Sequence, residues 1–234
     1  MNRLAVIVPA YNEEQSITEV VSEILAMAAK RNVNLSVVVV NDCSSDRTGE
    51  MASRLSCKVL NLPINLGIGG AVQTGFKYAF ESGFDMALQL DGDGQHPSEM
   101  IPEMIAFMES GKMDVVIGSR FLEKEGFQSS RVRRTGIRFF RFLNRALTGV
   151  DVKDTTSGFR LLNRRALEVV NDYYPDEYPE PEALVLYARR GLRLGEMPVI
   201  MRERQGGVSS INNRKAVYYM FKVTLGVIFT RIRT

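Results

Sequence analysis

Met86-Ala87-Leu88-Gln89-Leu90-Asp91-Gly92-Asp93-Gly94-Gln95-His96-Pro97 is an apolar run that stops at two aspartates separated by one glycine. Its first five residues have the composition of a short buried strand. Successive strand residues point to opposite faces, so Asp91 and Asp93 share a face if the chain stays extended. Gly92 and Gly94 let the backbone turn and come close to a ligand. Two carboxylates at a strand end suit a hard divalent cation such as Mg2+ or Mn2+. Such an ion takes one or two protein carboxylates and completes its shell with phosphate oxygens and water. An ordinary polar turn uses the same residue types, so the stretch alone leaves both readings open.

The pattern repeats outward from it. Arg3 to Pro9 is a continuous apolar, β-rich run of the kind covered on both faces, and Ala10-Tyr11-Asn12 breaks it. Glu14 to Arg31 has helical spacing, with Ile17, Val20, Val21, Ile24, Leu25 and Ala28 on one face. Leu35 to Val40 is a second strand, followed by the loop Asn41 to Asp46 and a helix from Arg47 to Leu55. Cys57 to Leu60 is a third strand, and Gly67-Ile68-Gly69-Gly70 opens a helix over Ala71 to Ser82. Beyond Pro97 a helix runs to Ser110, and Asp114 to Gly118 is a fifth strand. Strand and helix in alternation predict a parallel, doubly wound α/β sheet. Ligands of such sheets bind beyond the carboxyl ends of the strands. Tyr11, Glu13, Asp42, Asp46, Asn65, Gly67, Asp91 and Asp93 all fall there. A dinucleotide fingerprint and a P-loop are both missing: after the first strand stands Pro9-Ala10-Tyr11-Asn12-Glu13-Glu14.

The alternation then stops. Phe121 to Arg134 reads as a mobile basic loop. Gly136 to Leu147 is an amphipathic helix with Arg138, Arg141 and Arg145 near one face and Phe139, Phe140, Phe142 and Leu143 elsewhere. It suits core packing with a solvated basic face, or a membrane surface. Asp154-Thr155-Thr156-Ser157-Gly158-Phe159-Arg160 offers hydroxyls to a phosphate or forms a capped turn. Glu182 opens a helix over Ala183 to Arg190, and Leu192 to Met201 reads as a final edge strand. A basic loop from Arg202 to Ser210 precedes an apolar helix, Lys215 to Thr230, interrupted by Lys222.

With 234 residues, 45% hydrophobic and 24% charged, the chain is globular and long enough for a full α/β core. Residues 1–119 carry 8 basic and 15 acidic side chains, residues 120–234 carry 22 and 12. A basic second half invites an anionic partner. Cys43 and Cys57 have no metal-ligand spacing and suit a reducing cytosol. No apolar run has transmembrane length, and the N-terminus lacks a signal-peptide layout.

Val8-Pro9-Ala10-Tyr11-Asn12-Glu13, Asn41-Asp42, Asn65-Leu66-Gly67, Asp91 to Pro97, Gly118-Ser119-Arg120 and Thr156 to Arg160 together resemble the family 2 glycosyltransferases. Within that family the chain is most similar to the polyprenyl-phosphate sugar transferases, the dolichol-phosphate mannose synthase group and its bacterial undecaprenyl-phosphate relatives. The match runs from Arg3 to about Ser210. The resemblance implies a GT-A fold over residues 1–210, a mostly parallel doubly wound sheet with helices on both faces. It leaves 211–234 as an apolar amphipathic helix at a membrane or a partner. It implies that Pro9, Tyr11, Glu13 and Asp42 hold the nucleoside, and that Asp91 and Asp93, flanking Gly92, ligate Mg2+ or Mn2+ on the diphosphate. Asp91, Asp93 and Gln95 would serve catalysis. Arg120, Ser157, Arg202 and Ser209 would approach donor or acceptor phosphates. Val208-Ser209-Ser210 departs from the Gly-x-Ser-Lys of the mannose synthases by one lysine.

The implied reaction is inverting transfer from a UDP- or GDP-linked sugar to a polyprenyl phosphate, for cell-surface glycan synthesis. It would run at the cytoplasmic face of the cell membrane. A lipid phosphate, with a second pKa near ~6, is already a nucleophile and needs little help from a base. His96, the only histidine, then shapes the loop or contacts phosphate or sugar. If the acceptor is a sugar hydroxyl, Asp93, Glu180 and Glu182 are candidate bases. A small membrane protein on the tail and a homo-oligomer are further expected partners, and nucleic acid is not one. A soluble transferase that extends a glycan and a non-catalytic nucleotide-binding module remain as alternatives.

Overall fold

The computed structural model describes residues 2–123, 131–176, 179–202 and 213–233. Among them, β1 (Leu4–Ala10), β2 (Leu35–Asn41), β3 (Lys58–Asn61), β4 (Met86–Gln89), β5 (Val115–Ser119), β6 (Arg160–Asn163) and β7 (Leu194–Pro198) form one sheet. The helices are α1 (Ile17–Arg31), α2 (Thr48–Ser53), α3 (Gly67–Glu81), α4 (Ile101–Gly111), α5 (Arg131–Thr148), α6 (Arg164–Asp172), α7 (Pro179–Arg189) and α8 (Asn213–Arg233). β1 is buried along its whole length because both faces of the sheet are covered. Leu4, Val6 and Val8 share a core with α1 and α4, whereas Ala5 and Ile7 share one with α3, α6 and α7. That two-sided burial is why the strand reads as a continuous apolar run rather than an alternating one.

The strand order is β3-β2-β1-β4-β6-β5-β7. β1 to β4 are parallel, as the alternation predicts. β5 is not beside β4, because β6 runs antiparallel between them and β7 pairs with β5 at the edge. An antiparallel strand begins where its neighbour ends. Arg160, the first residue of β6, therefore faces Gln89, the last of β4. The turn 154–158 is carried to the same sheet edge as Asp91.

Several features differ from the sequence reading. α3 starts at Gly67, not after the glycines. A Cβ at Gly69 would lie 1.6 Å from the carbonyl oxygen of Asp176, so a glycine there lets the helix pass against the segment after α6. α5 starts at Arg131, so the end of the expected loop is helical, and residues 124–130 lie outside the described part. On α5 the arginines and phenylalanines are not segregated. Ile137, Phe140 and Asn144 are buried against the neighbouring helices, which leaves Phe139 and Phe142 outward together with Arg138 and Arg145. No described helix is long and apolar enough to cross a membrane.

Asp114 ties the start of this sheet together. Its carboxylate accepts from the Arg193 N–H at 2.8 Å, the Asn163 amide at 2.9 Å and Arg165 Nη1 at 3.2 Å. Burial alone would raise its pKa, but those bonds and the charges of Arg165 and Arg193 outweigh it and hold the carboxyl below its usual range. A depressed folded pKa gives stability that is complete above the unfolded value of about 4 and is lost as pH falls toward the folded one. Urea midpoints measured below about pH 4 should therefore fall less steeply in Asp114→Asn than in the parent.

Candidate active site

The site is assembled where β1, β2 and β4 end. After β1 the chain turns at Asn12, whose φ is 56°. The Asn12 Oδ1 accepts from the Ser45 N–H at 2.8 Å, the Ser44 hydroxyl from the Asn12 N–H at 3.0 Å, and the Thr48 hydroxyl from the Glu13 N–H at 2.8 Å. The polar residues of both loops thus brace each other. Asp46 also spans them, accepting from the Glu14 and Thr48 N–H groups. Burial opposes its ionisation, but a bond from the Thr48 hydroxyl and those N–H bonds prevail, and its carboxyl is depressed.

Asp42 is 4% exposed, and its two oxygens accept from the N–H groups of Leu66 at 2.7 Å and Gly67 at 2.9 Å. The carboxylate sits at the first turn of α3, where orphan N–H donors and the helix dipole favour negative charge. Asn65 donates its amide to the Asp42 carbonyl at 3.1 Å. Tyr11 stands one residue beyond the Ala10–Asn41 register pair and is 51% exposed. An open aromatic face and a carboxylate therefore end adjacent strands. Pro9 is buried in β1, and its carbonyl oxygen would lie 3.2 Å from a Cβ at Gly92.

The two aspartates after β4 are not equivalent, because the chain leaves the extended conformation there. Asp93 is buried and accepts from the Gln95 N–H at 3.0 Å; Gly94 follows with a φ of 76°. Asp91 is partly open, and its Oδ1 accepts from Gln89 Nε2 at 3.1 Å. A Cβ at Gly158 would lie 3.2 Å from both Asp91 oxygens, so glycine leaves the room the carboxylate needs. The Ser16 hydroxyl lies 2.7 Å from the Gly92 carbonyl and 2.9 Å from Glu13 Oε2, its single proton serving one at a time. The Asp91 N–H donates to His96 Nδ1 at 3.0 Å, which places the ring proton on Nε2. The ring stacks on Phe159 with centroids 5.0 Å apart. His96 thus holds the loop with its one lone pair engaged.

Arg120 is 7% exposed and makes a two-pronged contact with Asp154, with both nitrogens at 2.7 Å. It also donates to the Thr156 hydroxyl at 3.0 Å. Burial would lower its pKa, but Asp154, followed by Asp91 and Glu180, raises it. Arg120 is therefore in the field of Asp91. Asp154 and Lys153 donate their N–H groups to Glu196. The Ser157 hydroxyl is turned inward and donates to the Gly118 carbonyl at 2.7 Å. The backbone of Arg202 joins the site, since its N–H donates to Gln95 O at 2.9 Å and its carbonyl accepts from Gln95 Nε2 at 3.4 Å. Its guanidinium reaches away, to Glu23 and Glu99. The structure thus gathers Tyr11, Glu13, Asp42, Asp91, Asp93, Gln95 and Arg120 at one edge. It turns the side chains of Ser157 and Arg202 elsewhere, and Ser209 lies outside the described residues.

Asp91 and Asp93 fit a hard cation. Among the described residues no group of three or more His, Cys, Asp or Glu side chains is arranged to hold a metal. An ion here would be held by this pair and would complete its shell from ligand oxygens and water, the usual habit of Mg2+ beside a nucleotide.

The sequence pattern described as "Glycosyl transferase family 2" matches residues 5–170, most of the chain. The chain belongs to glycosyl transferase family 2. A UDP-N-acetylglucosamine–dolichyl-phosphate N-acetylglucosaminyltransferase from Methanococcus voltae is 31% identical to this family 2 chain, over 82% of it and 83% of that protein. An undecaprenyl-phosphate mannosyltransferase from Micrococcus luteus is 27% identical, over 90% and 88%. The fold is of the GT-A type. Mannosyl-3-phosphoglycerate synthase from Rubrobacter xylanophilus superposes with a TM-score of 0.77 at 17% identity, covering 99% of this chain and 74% of that one. Glucosyl-3-phosphoglycerate synthase from Mycobacterium tuberculosis, solved with Mn2+, UDP and glucosyl-3-phosphoglycerate, gives 0.71 at 18% identity, covering 98% and 80%.

In this family 2 chain several residues around the site carry no role in the sequence reading. Gln89 is the one with a signal, a polar residue in the apolar run Met86 to Leu90; it is fully buried and bonded to Asp91. Arg160 is also fully buried. It donates from Nε to Ser157 O at 2.8 Å and from Nη2 to Thr155 O at 3.2 Å. It therefore fastens the turn that carries Gly158. The hydroxyls of Tyr174 and Tyr187 are buried near it. Burial pushes the Tyr187 phenol up to about 12. Both phenols therefore stay neutral at physiological pH.

Proposed function

We propose that the chain moves a sugar, with inversion, from a UDP- or GDP-linked donor to a polyprenyl phosphate such as undecaprenyl phosphate, with Mg2+ or Mn2+. The observation that carries this reading is the convergence of Tyr11, Asp42, Asp91 and Asp93 on one sheet edge, in a family whose similar members are named for transfer to dolichyl or undecaprenyl phosphate.

Tyr11 offers a stacking face for the base. Asp42, held rigidly on α3, accepts an imide N–H of uracil or guanine. Asp91 and Asp93 would hold the cation, which would neutralise charge on the leaving diphosphate. Gln89 and Gly158 fix the Asp91 carboxylate. Gln95 ties the same loop to Arg202. The acceptor dianion needs no base to attack the anomeric carbon. The new carbon–oxygen bond forms as the bond to the diphosphate breaks, through an oxocarbenium-like state. His96, its lone pair occupied by the Asp91 N–H, suits such a nucleophile better than a sugar hydroxyl that must lose a proton. The acceptor is a membrane lipid, so we place the chain peripherally on the inner face of the cell membrane.

The test is transfer of labelled sugar from a panel of UDP- and GDP-sugars to undecaprenyl phosphate, with Mg2+, Mn2+ or EDTA. A lipid-phosphate sugar that forms with metal and not with EDTA is the expected product. Transfer only to acceptors lacking a phosphate would overturn the reading in favour of glycan extension.

A further inference from the structure

α5 and α8 lie side by side and run in the same direction. A Cβ at Gly136 would lie 3.9 Å from Met220 Sδ, and at the other end Arg231 Nε donates to Leu147 O at 3.0 Å. Both pairs are separated by the same 84 residues. Both helices pack inward on α7: Phe140, Val185, Val223 and Val227 form one buried cluster.

Their outward sides are not those of a solvated surface. On α8 the residues Phe221, Leu225, Ile228, Phe229 and Ile232 are 37% to 76% exposed. They recur at helical spacing and make a continuous apolar stripe, opposite the one already buried on α7. On α5 Phe139 and Phe142 are exposed between Arg138 and Arg145. Single exposed apolar residues are ordinary, but an aligned set on two adjacent helices marks an interaction surface.

Charge identifies the occupant. α5 contains six arginines and α8 five lysines or arginines, and neither helix has an acidic residue. Apolar side chains entering an acyl boundary, with basic heads at the level of lipid phosphates, fit an anionic bilayer. A second copy of the chain would bring the same basic helices against each other, which like charges oppose.

We infer that the α5–α8 pair is the face by which the chain lies on an anionic membrane, with the Phe221–Ile232 stripe in the interface. α7 joins this face to the active site. Its first turn sets Glu182 against α8, where a Cβ at Gly226 would lie 2.2 Å from Glu182 Oε1, and sets Glu180 in the field of Arg120. The layer that meets the bilayer and the site that consumes a lipid phosphate thus share one helix. The inference draws on the lipid-phosphate reading for its purpose. Vesicle binding is measured without donor or acceptor, so the two fail separately.

The test is flotation of the full chain with vesicles of phosphatidylglycerol and phosphatidylethanolamine, and with phosphatidylcholine alone. The parent should float with the anionic vesicles, and raised salt should weaken the binding. Phe229→Glu with Ile232→Glu should lower the partition coefficient about tenfold or more, since charge replaces apolar contact. Its thermal midpoint should be unchanged, because both residues lie outside the core. Arg138→Glu with Arg145→Glu should lower it on anionic vesicles by a similar factor. Absence of binding to anionic vesicles, or equal binding by parent and variants, overturns the inference. So does a dimer in sedimentation that the Phe229→Glu, Ile232→Glu variant dissociates, which would assign the stripe to a second copy.

Discussion

Asp93→Asn should lower sugar transfer by about a thousandfold, equivalent to about 4 kcal/mol of lost transition-state stabilisation. The folded chain should survive it. Asp93 Oδ1 accepts the Gln95 N–H, and an asparagine oxygen accepts it as well. What disappears is a negative charge beside Asp91. Asp91→Asn is the matching change, because the amide oxygen keeps its bond from Gln89 Nε2. Both variants should retain the parent's thermal midpoint within a few degrees, bind the nucleoside through Tyr11 and Asp42, and lose metal-dependent transfer. The measurement is initial rate against Mn2+ concentration, with nucleoside binding followed by calorimetry. A variant that keeps more than about a tenth of the parent rate would remove the carboxylate pair from the mechanism, since a metal ligand is worth several kcal/mol. A non-catalytic nucleotide-binding module would have no rate to lose.

The parallel half of the fold is legible because β1, β2 and β4 are covered on both faces and lead into polar loops. β1, β2 and β4 announce themselves as mainly apolar runs, and Asp42, Asp91 and Asp93 stand in the loops that follow them. The antiparallel insertion is not legible. Nothing in Arg160 to Asn163 says which strands it enters between, because that choice depends on pairing with residues some seventy positions away. The same insertion makes the environment of Asp91, bringing Gly158 and Phe159 to the aspartate loop. Sequence order shows the carboxylates but not what holds them. Direction of side chains is a second gap. Arg202 and Ser157 have the chemistry to meet a phosphate, yet Arg202 is committed to Glu23 and Glu99 and Ser157 to Gly118. On α5, six arginines among apolar residues suggest two faces, but the contact with α7 selects which phenylalanines are buried.

Asp154→Ala should destabilise the chain by about 3–5 kcal/mol, because it strips a buried guanidinium of its carboxylate. Arg120 and Asp154 are 7% and 0% exposed, and they meet through two side-chain bonds and a third from the Arg120 N–H at 3.1 Å. Replacing both together, Arg120→Met with Asp154→Leu, should cost less than the single change, since no buried charge is then left uncompensated. Urea midpoints of the parent, the two single variants and the double variant measure the coupling. A cost below about 1 kcal/mol for Asp154→Ala would mean that water reaches the guanidinium and that the pair is effectively exposed. The pair also bears on catalysis by position. It fastens the end of β5 to the turn 154–158, and that turn sets Gly158 against the Asp91 carboxylate. A double variant that regains stability should therefore still need more Mn2+ for half-maximal rate than the parent. A buried ion pair kept for stability alone would leave that concentration unchanged. One kept to place Asp91 would not.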